Sequence, residues 1–456
     1  MEGGKQPQGG HLNMYDYNVK QFGAAGDGVT LDQHALQQAI DTCAEAGGGT
    51  IYFPKGNYVT GTLFLRSHVH LHLGMQAVIR ASSDMTLYPP IGHEAYSDPP
   101  RRTYILLLAD GVTHCKITGE GEINGGGTEN LWFPENRSVP KRIGTLLFTG
   151  CSNIQVKDIT IRHSDCWTLH VQKSEEVMIN NVTIRNNRNR INTDGIGIDG
   201  SRNVLISNCN IESGDDSIVF KSIDGETCEN VTVSNCILSS RCQAIKFGTE
   251  SEGPIRNITI TNCVVHHSTI GLSLYLKDGG PYENIIFSNL IIHASFKFPF
   301  LVDITPRYYK TSKPISIRNI TFDNIVLTGP GRIYMEGTSE HPIENVTFNN
   351  FTCNITGGDE DFSKATKATG TSRCDVNPNA VNYASQPYQF IAAHVKGLYV
   401  SGMTFRNEKN TEALNDRGLF YFDNIDGGYV EKVNGVPLNT DVKPINQLHC
   451  QNFRVE

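Results

Sequence analysis

The sequence predicts an all-β fold, a single-stranded parallel β-helix (a solenoid) capped at its N-terminal end by one helix. Three observations point to it. A phrase recurs every 27 residues, apolar and polar residues alternate inside each copy, and one amphipathic helical stretch precedes the first copies.

The phrase is NVLISNCNI from Asn203, returning as NVTVSNCIL from Asn230, NITITNCVV from Asn257 and NIIFSNLII from Asn284, with weaker copies at Asn153, Val177, Asn319 and Asn345. A fixed period of about 20 to 50 residues signals a solenoid, and alternation within each copy is a strand pattern, not a helical one. Stacked coils would pair strands in parallel about 4.8 Å apart, so residues one period apart should lie above one another. Cys209, Cys236 and Cys263 would form one inward column, for which regular stacking argues against a disulfide framework. Asn208, Asn235, Asn262 and Asn289 would form another, a ladder that satisfies amide and backbone groups together.

From the N-terminus, residues 1–14 (MEGGKQPQGGHLNM) are polar and Gly-rich, and are expected to be a flexible segment with no secretion signal in it. Residues 30–46 read as an amphipathic helix with Leu31, Leu36, Ala39, Ile40 and Cys43 on one face, ended by Gly47 to Gly49. Over the open end of the coil, such a helix keeps terminal strand edges from pairing with other chains. Between residues 85 and 145 the repeat lapses into Pro-, Gly- and aromatic-rich stretches that predict long loops, with Tyr104, Trp132, Phe133 and Arg142 as candidate groove walls. Residues 359–388 read as an insertion between coils, bracketed by Cys353 and Cys374, a pair open to bridging. The strand pattern resumes at Val395, a last rung follows near Gly418 to Asp423, and a non-repetitive tail is expected after it.

After each phrase the chain turns into a second strand: Gly195 to Asp199, Ser217 to Lys221, Ala244 to Gly248 and Gly271 to Tyr275. The second and fourth residues of each are apolar and should face the core, leaving the first, third and fifth facing outward. The residue ahead of each strand is Asp194, Asp216, Gln243 and Ile270 in turn, which puts Asp194 and Asp216 on successive coils with Asp215 one residue earlier. The turn before Asp194 must then be longer than its successors, and the polar run RNNRNR from Arg185 to Arg190 supplies the length. Carboxylates crowded at one sheet edge repel one another, so this cluster points to metal binding or acid/base chemistry. Lys246 is expected over Ser273, and Lys221 over Gly248 and Tyr275, with Lys277, Asp303 and Arg307 near the same wall.

NTDG at Asn192 to Gly195, GDD at Gly214 to Asp216, the opening FGAAGDGVTLDQHALQQAIDTCAEAGGGTIYFPKGNY, and the segments LRSHVHLHLGMQAVIRASSD and HSDCWTLHV resemble glycoside hydrolase family 28 over most of the chain. That family comprises the polygalacturonases, and the resemblance implies a right-handed parallel β-helix and inverting hydrolysis. By position, Asp215 would be the general acid, Asp194 and Asp216 would hold and activate the attacking water, and Asn192 would bind substrate. Inversion needs carboxyls about 6.5 to 9.5 Å apart, a span that side chains diverging from adjacent rungs can reach. Crowding should raise the pKa of one of the carboxyls, and no metal or other cofactor is expected.

Two departures from the family bear on substrate. Where it carries a Gly-His-Gly turn, this chain has Cys242, Gln243 and Ala244; where it carries Arg-Ile-Lys to hold a substrate carboxylate, this chain has Ser273, Leu274 and Tyr275. Both cationic clamps are absent from those positions. A neutral or differently charged sugar, such as rhamnose in rhamnogalacturonan, is therefore expected over plain polygalacturonan, with Gln243, Lys246, Ser273, Tyr275 and Lys221 as binding candidates. Rival readings are a uronate lyase or epimerase, and an inactive carbohydrate-binding β-helix.

Composition fits one large domain over 15–456. Charged residues are 19% and the net charge is −8 with no basic run, which gives a nucleic-acid partner no support. No apolar run is long enough to cross a membrane. Eight Asn-x-Ser/Thr sequons occur, mostly at the repeat's own Asn turn. The expected partner is a pectin-like polysaccharide or oligosaccharide, met by a secreted or periplasmic monomer.

Overall fold

The computed structural model describes residues 17–91, 104–128, 142–296, 298–305, 315–356, 381–407, 417–435 and 442–456. Their strands join one ladder, a parallel β-helix whose strands fall in three columns. One column stacks Leu169–Gln172, Ile196–Asp199, Ile218–Ser222, Gln243–Ser251, Ile270–Leu276 and Phe300–Ile304. A second stacks Glu175–Asn180, Arg202–Ser207, Cys228–Ser234 and Ile255–Thr261, and a third Thr183–Arg185, Asn210–Ser213, Ile237–Ser240 and Val264–Ser268. The repeat is the register: Val204 pairs with Val231, Val231 with Ile258, and Ile258 with Ile285.

Asparagines hold the corners. Asn203, Asn230, Asn257, Asn284, Asn319 and Asn345 have φ between 52° and 57°, a left-handed conformation that Asn tolerates better than most residues. From Asn230 onward each donates its side-chain amide to Oδ1 of the Asn one rung before it, at 3.0 to 3.2 Å. The ladder anticipated at Asn208, Asn235, Asn262 and Asn289 is also left-handed and is bonded at Asn235 to Asn208 (3.4 Å). The longer amide chain, however, runs through the first Asn of the repeat. Inside the coil Phe220 stacks on Phe247 with centroids 4.5 Å apart, and Phe287 on Phe322 at 5.1 Å; such pairs add about 0.5–1.5 kcal/mol each beyond burial. Cys209, Cys236 and Cys263 are buried free thiols in the core, as their column predicts.

Helix α1 spans Gln33–Glu45 and buries Leu36, Ala39, Ile40 and Cys43. Leu31 is not on that face. It ends the strand Asp27–Leu31, pairs with Val59 and is 48% exposed. Asp32 marks the boundary: its buried carboxylate accepts from Ala25 N (2.6 Å) and Gly26 N (2.9 Å), tying the chain to the sheet before the helix begins.

Two other expectations change. Within 85–145, strands Tyr104–Asp110, Lys116–Gly119 and Glu122–Asn124 form a complete coil, because a continuous apolar run in the first and alternation in the other two persist there although the turns do not match the repeat. The tail is not irregular either: Ile445–Leu448 and Gln451–Val455 pair with the strand Gly418–Glu431. Tyr388–Ser401 resumes the ladder ahead of Val395. Residues 1–14, Trp132, Phe133, Arg307 and Cys374 lie outside the described residues; Cys353 is a buried free thiol. Among the described residues no helix is long and apolar enough to cross a membrane.

Candidate active site

Rung-to-rung pairing builds the carboxylate cluster. Gly195 N donates to Asp216 O (2.8 Å), Ser217 N donates to Gln243 O (2.9 Å), and Gln243 pairs with Ile270. Asp194, Asp216, Gln243 and Ile270 thus open successive rungs. Ser213 Oγ and Ser240 Oγ each donate to Asp215 O at 2.6 Å and pin its turn. The Asp215 carboxylate accepts from Asn192 N (3.1 Å) and Asn192 Nδ2 (3.5 Å) at Oδ2, and from Asp216 N (3.0 Å) at Oδ1.

The glycines of the two motifs permit this closeness. A Cβ on Gly214 would stand 2.2 Å from Arg190 O and 2.7 Å from Asn187 O, so glycine lets the RNNRNR loop close against the Asp215 turn. A Cβ on Gly195 would stand 2.5 Å from Ser217 O.

Asp194 and Asp216 are buried and Asp215 is half-buried. Burial, and then the neighbouring Asp215 and Asp216, push the Asp194 carboxyl well above its ordinary range. Burial likewise lifts Asp216 to about 6, against the pull of Lys246. Lys246 Nζ lies 2.8 Å from Asp216 Oδ2. Burial disfavours the ammonium charge, but Asp216 outweighs it and holds the pKa of Lys246 well above its ordinary value. Asp216 Oδ1 is buried with no hydrogen-bond partner among the described residues. A lone buried carboxylate oxygen is costly, and this one suits a proton or a water.

The other lysines of the wall are also paired. Lys221 Nζ lies 2.7 Å from Glu250 Oε2 and 4.8 Å from the centroid of the Trp167 ring, while Lys277 and Asp303 form a wholly buried ion pair at 2.5 Å. Lys246 pairs with Ser273 in register as expected. Lys221 does not stand over Gly248, because the register slips after Phe220 and pairs Ser222 with Ser251. Gln243 Oε1 accepts from Ser273 Oγ, and both residues are buried. Tyr275 belongs to a second apolar layer with Phe298, Leu301 and Tyr334. The outward positions of these strands do point away from the core, but Val219, Ser273 and Tyr275 are covered.

Asp215, Asp216 and Cys242 offer one donor atom each within 4.8 Å of one another, so the nearest oxygens of Asp215 and Asp216 stand closer than the span of about 6.5 to 9.5 Å expected of an inverting acid and base. Lys246 already occupies Asp216 Oδ2, and burial, followed by the two carboxylates, pushes the Cys242 thiol well above its ordinary range. The Lys246 ammonium would compete with a cation for the Asp216 carboxylate, so these residues do not fit a metal well.

Arg142 was a groove-wall candidate, yet it is buried, and its Nη1 donates to Asn192 Oδ1 (3.3 Å). Arg142 Nε lies 3.8 Å from Asp165 Oδ1, and the same carboxylate forms an ion pair with Arg190. Asp165 is the residue that sequence reasoning missed. Its one signal was its place in HSDCWTLHV; its partners lie 23 and 25 residues away, off the 27-residue period that revealed the other columns.

Comparisons with known proteins bear on the family and the fold. The model of the family described as glycosyl hydrolases family 28 matches residues 43–374. A probable polygalacturonase of Vitis vinifera is 32% identical over 197 residues, 40% of this chain and 39% of that protein. The chain therefore spans well under two thirds of that curated relative's length. The family 28 exopolygalacturonase of Yersinia enterocolitica superposes with a TM-score of 0.70 at 20% identity, covering 96% of this chain and 77% of that one. The hyperthermoactive exopolygalacturonase of Thermotoga maritima gives 0.64 at 24% identity, with 75% and 90% covered. At these identities the two structures speak for the fold.

Proposed function

Because this chain belongs to glycosyl hydrolases family 28, we propose that it hydrolyses O-glycosyl bonds of pectin-type polysaccharides or oligosaccharides with inversion. The linkage is of rhamnogalacturonan type, with a neutral sugar at the cleaved bond, in preference to plain polygalacturonan. The observation that carries this reading is the charge balance of the site. Asp194, Asp215 and Asp216 converge, while Lys246, Lys221 and Lys277 are taken by Asp216, Glu250 and Asp303. A uronate carboxylate would have to compete with those partners, and a neutral ring would not.

In this mechanism the half-buried Asp215 gives its proton to the glycosidic oxygen, which keeps the bonding pair as its bond to C1 breaks. A water held between Asp194 and Asp216 attacks C1 from the opposite face and passes its proton to Asp216, whose ionised form Lys246 stabilises. Asp194, which burial and its neighbours favour protonated, holds that water by a hydrogen bond. Substrates of this size imply action outside the cytoplasm.

The test is a product assay on rhamnogalacturonan, polygalacturonan and their oligomers with EDTA present, comparing wild type with Asp215→Asn. New reducing ends from rhamnogalacturonan, without the ultraviolet band of unsaturated uronates and lost in the variant, are expected. Ultraviolet absorbance appearing in a calcium-containing control would replace the hydrolase by a lyase.

A further inference from the structure

We infer that Arg142, held by Asp165 and Arg190, is a positioning residue for the acid Asp215 and acts through Asn192; this rests on the hydrolytic reading above. Arg142, Asp165 and Arg190 are 5%, 9% and 8% exposed. Arg142 Nε donates to Asp165 O (2.9 Å), its Nη2 donates to Asp165 O and Ile191 O, and its Nη1 donates to Asn192 Oδ1 (3.3 Å). Asp165 Oδ2 accepts from Ile143 N (2.8 Å), and Arg190 donates to Asp165 O (3.1 Å) and Oδ1. Asp165 thus sets two guanidinium groups at the base of the loop that leads into Asn192, Arg142 through its main-chain oxygen and Arg190 through that oxygen and the carboxylate.

The consequence is the orientation of one amide. With its oxygen committed to Arg142, the Asn192 side chain turns Nδ2 toward Asp215 Oδ2, the atom that also accepts from Asn192 N. Turned the other way, Asn192 Oδ1 would face the carboxylate and repel it. Loop tethering alone does not call for Arg142, because the loop is tied on its far side. Arg188 donates to Ser239 Oγ, Ser240 O and His267 O, Arg241 donates to Asn189 Oδ1, and Thr193 Oγ1 donates to Arg190 O. Burying charge is costly, and what Arg142 adds to those ties is a bond to Ile191 O and the orientation of Asn192.

The test separates positioning from packing by leaving-group chemistry. A 4-nitrophenolate departs without a proton, whereas a sugar hydroxyl needs one. Wild type, Asp215→Asn, Arg142→Met and Arg142→Lys are compared on an oligosaccharide cleaved in the product assay and on 4-nitrophenyl α-L-rhamnopyranoside. Arg142→Met is expected to lower kcat about 100-fold on the oligosaccharide, the scale of a 1 Å misplacement, with KM within about twofold. Its loss on the aryl glycoside should be only a few-fold, and Arg142→Lys should recover part of the oligosaccharide rate. Equal losses on both substrates, or a change in KM alone, would overturn the inference provided Asp215→Asn shows the leaving-group contrast. If Asp215→Asn shows none, the acid assignment falls and takes this inference with it. Should Arg142→Met not give a folded protein, Asn192→Gly keeps the buried charges and tolerates the left-handed backbone there (φ 55°), and must show the same contrast.

Discussion

Lys246 Nζ reaches back across one rung to Asp216 Oδ2 at 2.8 Å, with 12% and 1% of the two side chains exposed. The strand partner of Lys246 on that rung is Val219, not Asp216, so this contact is made by side-chain reach and not by register. It sets the charge of the residue proposed to activate water.

Replacing Lys246 with Met leaves Asp216 buried and unpaired. Breaking a buried pair typically costs about 3–5 kcal/mol, and a fall toward that range in urea unfolding at pH 7 is expected. Loss of the lysine raises Asp216 beyond about 6, so its base form appears at higher pH. The acid limb of the pH–rate profile should move upward; an unmoved limb would show that the pair does not tune the base.

Asp194 predicts a pH-dependent stability. Its folded pKa is raised above the unfolded value, mainly by burial, and Asp216 is raised to about 6. A raised carboxyl favours folding below the unfolded pKa of about 4, and that contribution is lost as pH rises through the folded value. Asp194→Asn removes the cost of ionisation. The variant should melt several degrees above wild type at pH 7 and converge with it near pH 4, while its hydrolytic rate falls at least about 100-fold. A lower melting temperature at pH 7 would contradict the raised pKa.

Gly214→Ala places a methyl group 2.2 Å from Arg190 O. Because the atom met is backbone, the loop must move. Overpacking of this kind costs about 1–3 kcal/mol, and the shift would carry Asn192 away from Asp215. Thermal unfolding together with kcat measures both effects, and a variant with wild-type kcat would show that the tight approach is structural alone.

Lys277 and Asp303, each fully buried, provide a contrast between single and double replacement. Asp303→Leu leaves a lone buried ammonium and should cost about 3–5 kcal/mol, whereas Lys277→Met combined with Asp303→Leu should be near neutral. A double-mutant cycle in denaturant measures the difference; equal destabilisation by the single and double variants would exclude this account.

The sequence by itself determined the solenoid, its register and the rung order of Asp194, Asp216, Gln243 and Ile270. In a parallel stack, residues one period apart must pair, so a 27-residue spacing in the chain becomes one rung in space, as Val204, Val231, Ile258 and Ile285 do. Helical spacing likewise located the helix face at Leu36, Ala39, Ile40 and Cys43, though not the break at Asp32, which depends on hydrogen bonds from Ala25 and Gly26. Only the tertiary structure decided how the outward side chains are spent. The pairing of Lys246 with Asp216, the second layer over Tyr275, and the Asp165–Arg142–Asn192 chain to Asp215 join residues at spacings that no repeat imposes. Backbone pairing propagates a period along the ladder, whereas a long charged side chain can reach any of several neighbours, and which one it meets depends on loops of irregular length and on burial that exists only once the coil is closed.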